Sequence, residues 1–291
     1  MAAGTQLDGR WIRAFVALIS LTGLPACGRF GFAPDNDDDT DTDGDAPDGA
    51  PCPAGELPDP TGRCVPALVL DESIVGYWPL DEAVGALVFR DLSGNLYDGS
   101  CGDGCPIAGQ PGIRGSSVDY MGTQQGIVVG TLAELNVPMP AFTIAAWTKL
   151  RVHDTYGYIL SNDRDCCGAY SGFSLWSSHY TLGPALMIWD GTEAASAQPV
   201  EFLALDAWHQ VVGTYADGTA SLYVDGQLVA SLSRVLSMPP SYATTIGAGG
   251  YNPLSTNLEN GAIDEVLVLA RVLSGGEILA LYDFYVAGAP P

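Results

Sequence analysis

The sequence predicts an all-β protein, a two-sheet antiparallel sandwich that follows an acidic, disordered N-terminal linker. Three observations support this fold class. The 291 residues include 36 glycines and 20 prolines, which is typical of a chain with many turns. Its 13 tyrosines and 6 tryptophans suit strands better than long helices. Short apolar runs also recur between turn residues, which is the pattern of a sandwich.

The predicted strands begin after about Asp71. They cover 74–78, 118–121, 127–129, 142–150, 156–160, 173–176, 185–189, 200–205, 209–215, 220–224, 228–232, 244–246 and 262–269. Asp225-Gly226 lies between two of these runs and is a strong hairpin signal. Only 276–284 has a helical pattern.

The N-terminal residues predict export and a lipid anchor. Arg10 and Arg13 precede an uncharged stretch, 14–26, which is shorter than the ~20 residues that cross a bilayer. The stretch ends in Leu-Pro-Ala-Cys, which resembles a bacterial lipobox with Cys27 as the lipidated residue. We therefore predict a signal peptide over 1–26 and a lipid-anchored protein at the outer membrane or cell surface. The alternative is an ordinary cleaved signal with a chance cysteine.

An acidic tether is predicted over 27–50. Residues 35–49 include eight aspartates and nothing that could form a core, so charge repulsion keeps this run extended. Half of an EF-hand calcium loop is present at 39–44, but Ala50 stands where the loop needs a bidentate glutamate. The net charge of -23 argues against nucleic acid as a partner.

Six cysteines remain besides Cys27, an even number that suits disulfides in an exported chain. Cys52 and Cys64 are predicted to close a small loop over 51–70, just before the main domain at 71–287. Cys101, Cys105, Cys166 and Cys167 could pair locally, cross-link two loops or hold zinc. The short spacer between Cys101 and Cys105 favours the local pairing.

Several motifs together resemble a known family. They are GYWPLDE at 76–82, DLSGN at 91–95, FTIAAW at 142–147, WHQVVGTY at 208–215, LYVDGQLV at 222–229 and GAIDEV at 261–266. In order and spacing they resemble a laminin-G-like, concanavalin-A-like jelly-roll domain. The resemblance implies a sandwich whose face and rim loops often bind glycans, sometimes with calcium, but a fold alone does not fix an activity.

Catalytic motifs are not readable, so the sequence predicts that the protein is not an enzyme. Related glycan-cleaving jelly rolls carry a Glu-x-Asp-x-x-Glu string on one strand, and this sequence has none. Asp264 and Glu265 are adjacent, so strand alternation would point them to opposite faces. His153 and His179 are isolated in the sequence, and His209 is interpreted as structural.

Calcium is the candidate cofactor. The loop that contains Asp91 and Asn95 is rich in oxygen ligands and could lie near Asp264, which together would suit calcium. The alternative is that Asp91 and Asn95 hold a turn and that Asp264 accepts backbone hydrogen bonds.

The predicted ligand site lies in the segment 151–180, where aromatic and polar residues alternate. Aromatic faces beside amide, acid and arginine groups suit sugars. The candidates are Asp154, Tyr156, Asn162, Asp163, Arg164, Tyr170 and Trp176. We therefore predict a non-catalytic envelope lipoprotein that binds a glycan or surface protein. The alternatives are a polysaccharide-cleaving enzyme of this fold and a structural envelope protein.

Overall fold

The computed structural model describes residues 52, 56–59, 62–102, 104–121, 125–135, 141–153, 156–166, 169–179, 182–236, 242–249 and 261–288. The side chains of 69, 70, 164–166, 169, 170 and 288 are outside the described part. Cys27 and the acidic tether also lie outside it. Of the helices that the structure describes, none has the length and apolar character needed to cross a bilayer.

In the part of the chain that the structure describes, the larger sheet has nine strands, and all its neighbouring strands pair antiparallel. They are β4 (Val88–Phe89), β5 (Gly99–Ser100), β8 (Ile127–Gly130), β10 (Tyr156–Ser161), β11 (Arg164–Cys166), β12 (Ala169–His179), β13 (Ala185–Asp190), β14 (Ala194–Ala197) and β18 (Thr244–Ile246). Their order is β14-β13-β12-β10-β18-β8-β5-β4, with β11 paired to β12.

The second sheet has eight strands within the described ranges. They are β3 (Ile74–Trp78), β6 (Ile107–Pro111), β7 (Ser116–Tyr120), β9 (Ala141–Leu150), β15 (Trp208–Ala216), β16 (Thr219–Val224), β17 (Gln227–Ser233) and β19 (Gly261–Leu269). Their order is β17-β16-β15-β9-β19-β7-β6, and β3 pairs with β19. The core lies between the two sheets, where Ile144, Phe173 and Val268 are almost fully buried.

Two further elements cover the outer face of the eight-stranded sheet. One is a hairpin of β1 (Glu56–Pro58) and β2 (Cys64–Pro66), and the other is the helix α1 (Gly275–Gly288). Val65 of the hairpin and Leu281 of the helix belong to one buried cluster with Trp147 of β9. The central strands β9 and β19 are therefore buried on both faces, whereas the edge strand β17 is exposed.

Helix α1 begins with a capping box. The backbone N–H and the hydroxyl of Ser274 both donate to Oε2 of Glu277, at 2.7 and 2.8 Å. The Glu277 N–H in turn points to the Ser274 hydroxyl at 3.3 Å. This exchange satisfies N–H groups at the start of the helix that have no partner within it.

Two disulfides agree with the sequence-based pairings. Cys52 bonds to Cys64, and Cys101 bonds to Cys105. The zinc alternative is wrong for Cys101 and Cys105, because a disulfide sulfur is not a thiolate ligand. The Cys166 side chain and Cys167 are outside the described residues.

The predicted strand at 200–205 is wrong. These residues form turns and irregular chain, and Val200 and Phe202 are exposed. The structure adds short strands that the sequence did not predict: β1, β2, β4, β5, β6, β11 and β14.

Candidate functional site

The outer face of the nine-stranded sheet carries an aromatic group that is separate from the main core. In β13, Leu186 and Ile188 face the core, whereas Ala185 and Met187 lie on the other face. Tyr158 of β10 shares that outer face. The alternation of side chains along a strand accounts for this division.

We call Tyr156, Tyr158, Trp176 and His179 the aromatic cluster. The ring centroids of Tyr158 and Trp176 lie 3.8 Å apart, and those of Tyr156 and Trp176 lie 5.9 Å apart. His179 meets Trp176 edge-on at 4.5 Å. Strand pairing brings Tyr156 of β10 directly opposite His179 of β12, with their ring centroids 6.3 Å apart.

The members of the cluster differ in exposure. Trp176 is 2% exposed and Tyr158 is 9% exposed, so these two rings form the base of the cluster. Tyr156 and His179 are half-buried. Contact with a ligand would therefore fall on Tyr156 and His179, with Trp176 in a supporting position. Trp189 is half-buried farther along the same face, opposite Gly172 of β12.

The surroundings of His179 favour the uncharged form of its imidazole. Burial lowers the pKa of its imidazole, and a hydrogen bond with Gln198 partly opposes this shift. A lowered pKa keeps the ring uncharged at neutral pH. A neutral imidazole has one donor and one acceptor nitrogen, which matches a sugar hydroxyl.

Other predicted ligand residues have structural contacts in the described part of the chain. Oδ1 of Asn162 accepts the Phe173 N–H at 2.8 Å and Oδ1 of Asp163 accepts the Ser161 hydroxyl at 2.8 Å. Asn162 and Asp163 are buried. Asp154 and the side chains of Arg164 and Tyr170 lie outside the described residues. Of the predicted ligand residues, Tyr156 and Trp176 therefore lie together in the aromatic cluster. The Asn162 side chain instead binds the backbone of Phe173.

The proposed calcium ligands do not fit a calcium site. Oδ1 of Asp91 accepts the N–H groups of Tyr77 and Ser93, and Oδ2 accepts from Ser93 and Tyr97. The Asn95 amide donates to the Ile74 and Val75 carbonyls. These contacts correspond to the turn-holding alternative. Among the described residues, no group of three or more His, Cys, Asp or Glu side chains could hold a metal ion.

Asp264 and Glu265 depart from strand alternation. Asp264 lies opposite Trp147, and the register between β19 and β9 shifts before Leu267. Glu265 has a φ of 51°, which marks a β-bulge. As a result both side chains lie on the outer face of the eight-stranded sheet. The prediction that they point to opposite faces is wrong, because the bulge adds one residue to the strand.

Glu265 is buried in a network under the hairpin and α1. Its Oε2 accepts the Tyr77 and Tyr285 hydroxyls at 2.6 and 2.8 Å. Its Oε1 lies 3.1 Å from Nη1 of Arg63, a hairpin residue that also pairs with Asp81 at 2.6 Å. Sequence reasoning missed Arg63 and Tyr285, because only the folded chain brings them to β19.

The two adjacent acids differ in their charge compensation. Burial raises the pKa of Asp264 well above its usual range, and the charges of Glu265 and Asp81 add to this. Burial also raises the pKa of Glu265, but Arg63 and the Tyr77 hydroxyl oppose the shift. Asp264, which has no such compensating partner close to it, is therefore the more easily protonated of the two acids. Both acids are inaccessible, since Asp264 is 0% and Glu265 is 3% exposed.

Residues 122–279 match the family model Laminin_G_3, described as the concanavalin A-like lectin/glucanases superfamily. The chain belongs to this superfamily. The match covers more than half of this concanavalin A-like chain and includes all of the aromatic cluster. Among curated proteins, none matches its sequence.

Solved structures with the same fold include chains of glycoside hydrolases. Domain 4 of AbnA, a GH43 extracellular arabinanase from Geobacillus stearothermophilus in complex with arabinotriose, is 15% identical with a TM-score of 0.57. That match covers 72% of this chain and 98% of the arabinanase domain. Trypanosoma rangeli sialidase in complex with sialic acid is 18% identical with a TM-score of 0.54. There the match covers 77% of this chain but only 34% of the sialidase chain.

These neighbours contradict the prediction that the concanavalin A-like chain is not an enzyme. They are chains of a sialidase and an arabinanase, so the same fold occurs in proteins that cleave glycans. The prediction relied on a missing one-strand motif, but catalytic carboxylates can come from separate strands and loops. At 15–19% identity the likeness itself shows only the fold.

Proposed function

We propose that the protein takes part in glycan hydrolysis and that the outer face of the nine-stranded sheet receives the glycan. The observation that carries this proposal is the aromatic cluster. Tyr156 and His179 present half-buried rings on a base formed by Trp176. A sugar ring has an apolar face that packs on an aromatic ring and hydroxyls that bond to neighbouring polar groups.

The solved neighbours support a carbohydrate over other ligand classes. The arabinanase domain is in complex with arabinotriose, and the sialidase is in complex with sialic acid. Arabinotriose and sialic acid are ligands of those proteins, and we choose the corresponding glycans as the first probes for this chain. Cleavage of a glycosidic bond ordinarily needs two carboxyl groups. The described acids on the two strands that flank β12 are Asp163, a buried residue just after β10, and Asp190, which lies opposite Ser171, five positions along β12 from Trp176. They are the acids that we test for a catalytic role.

The experiment measures binding and cleavage together. Purified protein is incubated with arabinan, arabino-oligosaccharides and sialylated glycans, and binding and released sugar are recorded. Tyr156→Ala and His179→Ala should weaken binding at least tenfold. Tyr223→Ala is the matched control, because Tyr223 lies on the other sheet and should leave binding unchanged.

The outcomes separate the two parts of the proposal. Binding without released sugar would overturn the hydrolytic part and leave the binding face. Cleavage that Asp163→Asn or Asp190→Asn abolishes while binding persists would support these acids as catalytic groups. Absence of both binding and cleavage for every glycan would overturn the proposal.

We also propose that the protein is exported and lipid-anchored at Cys27, at the outer membrane or cell surface. The support is the sequence alone: a short apolar segment, a lipobox-like end and an acidic spacer behind it. Mass spectrometry of the mature protein should find a diacylglyceryl group on Cys27. Unmodified Cys27, or cleavage at another residue, would overturn this proposal.

A further inference from the structure

A small cavity lies between the eight-stranded sheet and helix α1, on the side of the protein away from the aromatic cluster. Its volume is about 10 Å³, and its polar lining comes from Trp147, Gln210, Glu265 and Tyr285. A cavity needs roughly 10–15 Å³ of such space to hold one water molecule. The cavity is therefore about large enough for one water-sized molecule.

Polar atoms without hydrogen-bond partners converge on this cavity. Within the part of the chain that the structure describes, Nε1 of Trp147, Oε1 and Nε2 of Gln210 and Oε1 of Glu265 make no hydrogen bond. Oε1 of Glu265 has only its ion-pair contact with Arg63. The three residues that supply these atoms are 1–3% exposed. Buried polar groups of this kind are usually satisfied by protein or by ordered water.

The strand register explains why these groups meet. Gln210 of β15 lies directly opposite Trp147 of β9, which lies opposite Asp264 of β19. The bulge at Glu265 then adds its carboxylate to the end of this row. The three paired strands and the bulge thus bring the Trp147 indole N–H, the Gln210 amide and the Glu265 carboxylate to the lining of one cavity.

We propose that this cavity is a binding site for one water molecule, held by Trp147, Gln210 and Glu265. Water fits because it can accept from the Trp147 indole and donate to the Glu265 carboxylate at the same time. A small cation does not fit, because the indole N–H is only a donor. A small anion does not fit beside the carboxylate of Glu265.

The water would complete the surroundings of Glu265. Tyr77 and Tyr285 donate to Oε2, and the water would donate to Oε1 beside Arg63. It would also connect α1 to the sheet below it, since Tyr285 and Leu281 of the helix line the same cavity. This inference does not depend on glycan binding.

The test is a nuclear Overhauser measurement between water and the tryptophan indole protons in the full mature chain. The Trp147 indole proton should show a cross-peak with a long-lived water, and Trp147→Phe identifies its signal. Trp78 is the internal control, because its buried indole donates to the backbone carbonyl of Tyr97 at 2.8 Å and should show no such cross-peak. Gln210→Met should remove the cross-peak, because it replaces the amide that holds the water with an apolar side chain of similar size.

One variant guards against a false positive. Exchange through the nearby Tyr285 hydroxyl could imitate a bound water, and Tyr285→Phe removes that hydroxyl. The cross-peak should persist in this variant. Its absence in the unsubstituted protein, or its loss in Tyr285→Phe, would overturn the proposal.

Discussion

Arg63 and Glu265 are 202 positions apart in the sequence and form a partly buried ion pair in the fold. Arg63 precedes Cys64 in the N-terminal hairpin, and Glu265 forms the bulge of β19. Burial alone would lower the pKa of Arg63, but Glu265, Tyr77 and Asp81 raise it above its usual range. The Arg63 guanidinium thus balances the negative charges of Glu265 and Asp81. Through this ion pair, the hairpin contributes to the stability of the sandwich.

Arg63→Met should lower the free energy of unfolding by about 3–5 kcal/mol, because it leaves the Glu265 carboxylate buried without its cation. Urea denaturation measures this change. The double variant Arg63→Met, Glu265→Gln should recover part of the loss. Arg90→Met is the control, since Arg90 pairs with Asp98 on the surface and should change stability by under about 1 kcal/mol. Equal losses for Arg63 and Arg90 would contradict this interpretation.

Asp264 should make the protein less stable as the pH rises above the usual carboxyl value of about 4. Burial and neighbouring charges raise its pKa in the folded state, so the folded chain binds more protons than the unfolded chain in that window. The free energy of unfolding then falls with rising pH. Asp264→Asn should flatten this fall, as measured by urea denaturation over a pH series.

The Asp264→Asn comparison needs the unsubstituted protein in the same series, because other acids act in the opposite direction. Burial tends to raise the pKa of Asp71, but hydrogen bonds from Ser73 and Arg271 lower it overall. Its contribution to stability is present at neutral pH and is lost on acidification. The difference between the two curves isolates Asp264, and parallel curves would contradict its assignment as the protonated acid.

The Cys52–Cys64 disulfide should contribute more than the Cys101–Cys105 disulfide. Their sequence separations are 12 and 4, so chain entropy predicts about 3 and about 2 kcal/mol. The measurement compares double serine variants of each pair by urea denaturation. Loss of the first pair also loosens the hairpin that carries Arg63, which increases the difference. A larger loss for the second pair would contradict this order.

Within the aromatic cluster, Trp176→Ala should mainly lower the stability of the fold, whereas Tyr156→Ala should mainly weaken glycan binding. Trp176 is almost fully buried, so truncation should cost about 3–5 kcal/mol of unfolding free energy. Tyr156 is half-buried at the edge and should cost much less. Thermal unfolding and glycan binding of both variants check this division. If Tyr156→Ala alone unfolded the sheet, its loss of binding would carry no information on the ligand.

Calcium should leave the stability of the Asp91 loop unchanged. The Asp91 oxygens already accept four hydrogen bonds, from Tyr77, Ser93 and Tyr97. Asp91→Ala should therefore lower the melting temperature by the same amount with calcium and with chelator. A loss that appears only in the presence of calcium would restore the metal prediction.

The fold was largely predictable from the sequence, because alternation and turn residues act locally. The strand over Ala141–Leu150 and the helix over Gly275–Gly288 agree with the predicted 142–150 and 276–284. The orientation of Glu265 was not predictable, because a bulge with positive φ breaks the alternation rule. Nothing in the local sequence marks that change.

The candidate site was only partly predictable. Tyr156 and Trp176 lie in the aromatic segment that composition identified, and both belong to the cluster. His179 was interpreted as isolated, although the pairing of β10 with β12 places it opposite Tyr156. Long-range pairing decides such neighbours. For the same reason Arg63 could not be connected to Glu265 from sequence alone.

The positions of the hairpin and α1 have a consequence for access. Both pack on the eight-stranded sheet, whereas the aromatic cluster lies on the opposite side of the sandwich. Cys52 is bonded to Cys64 of the hairpin, so the described chain enters the domain on the side away from Tyr156 and His179. A glycan bound at the aromatic cluster, as we propose, would therefore not meet this point of entry.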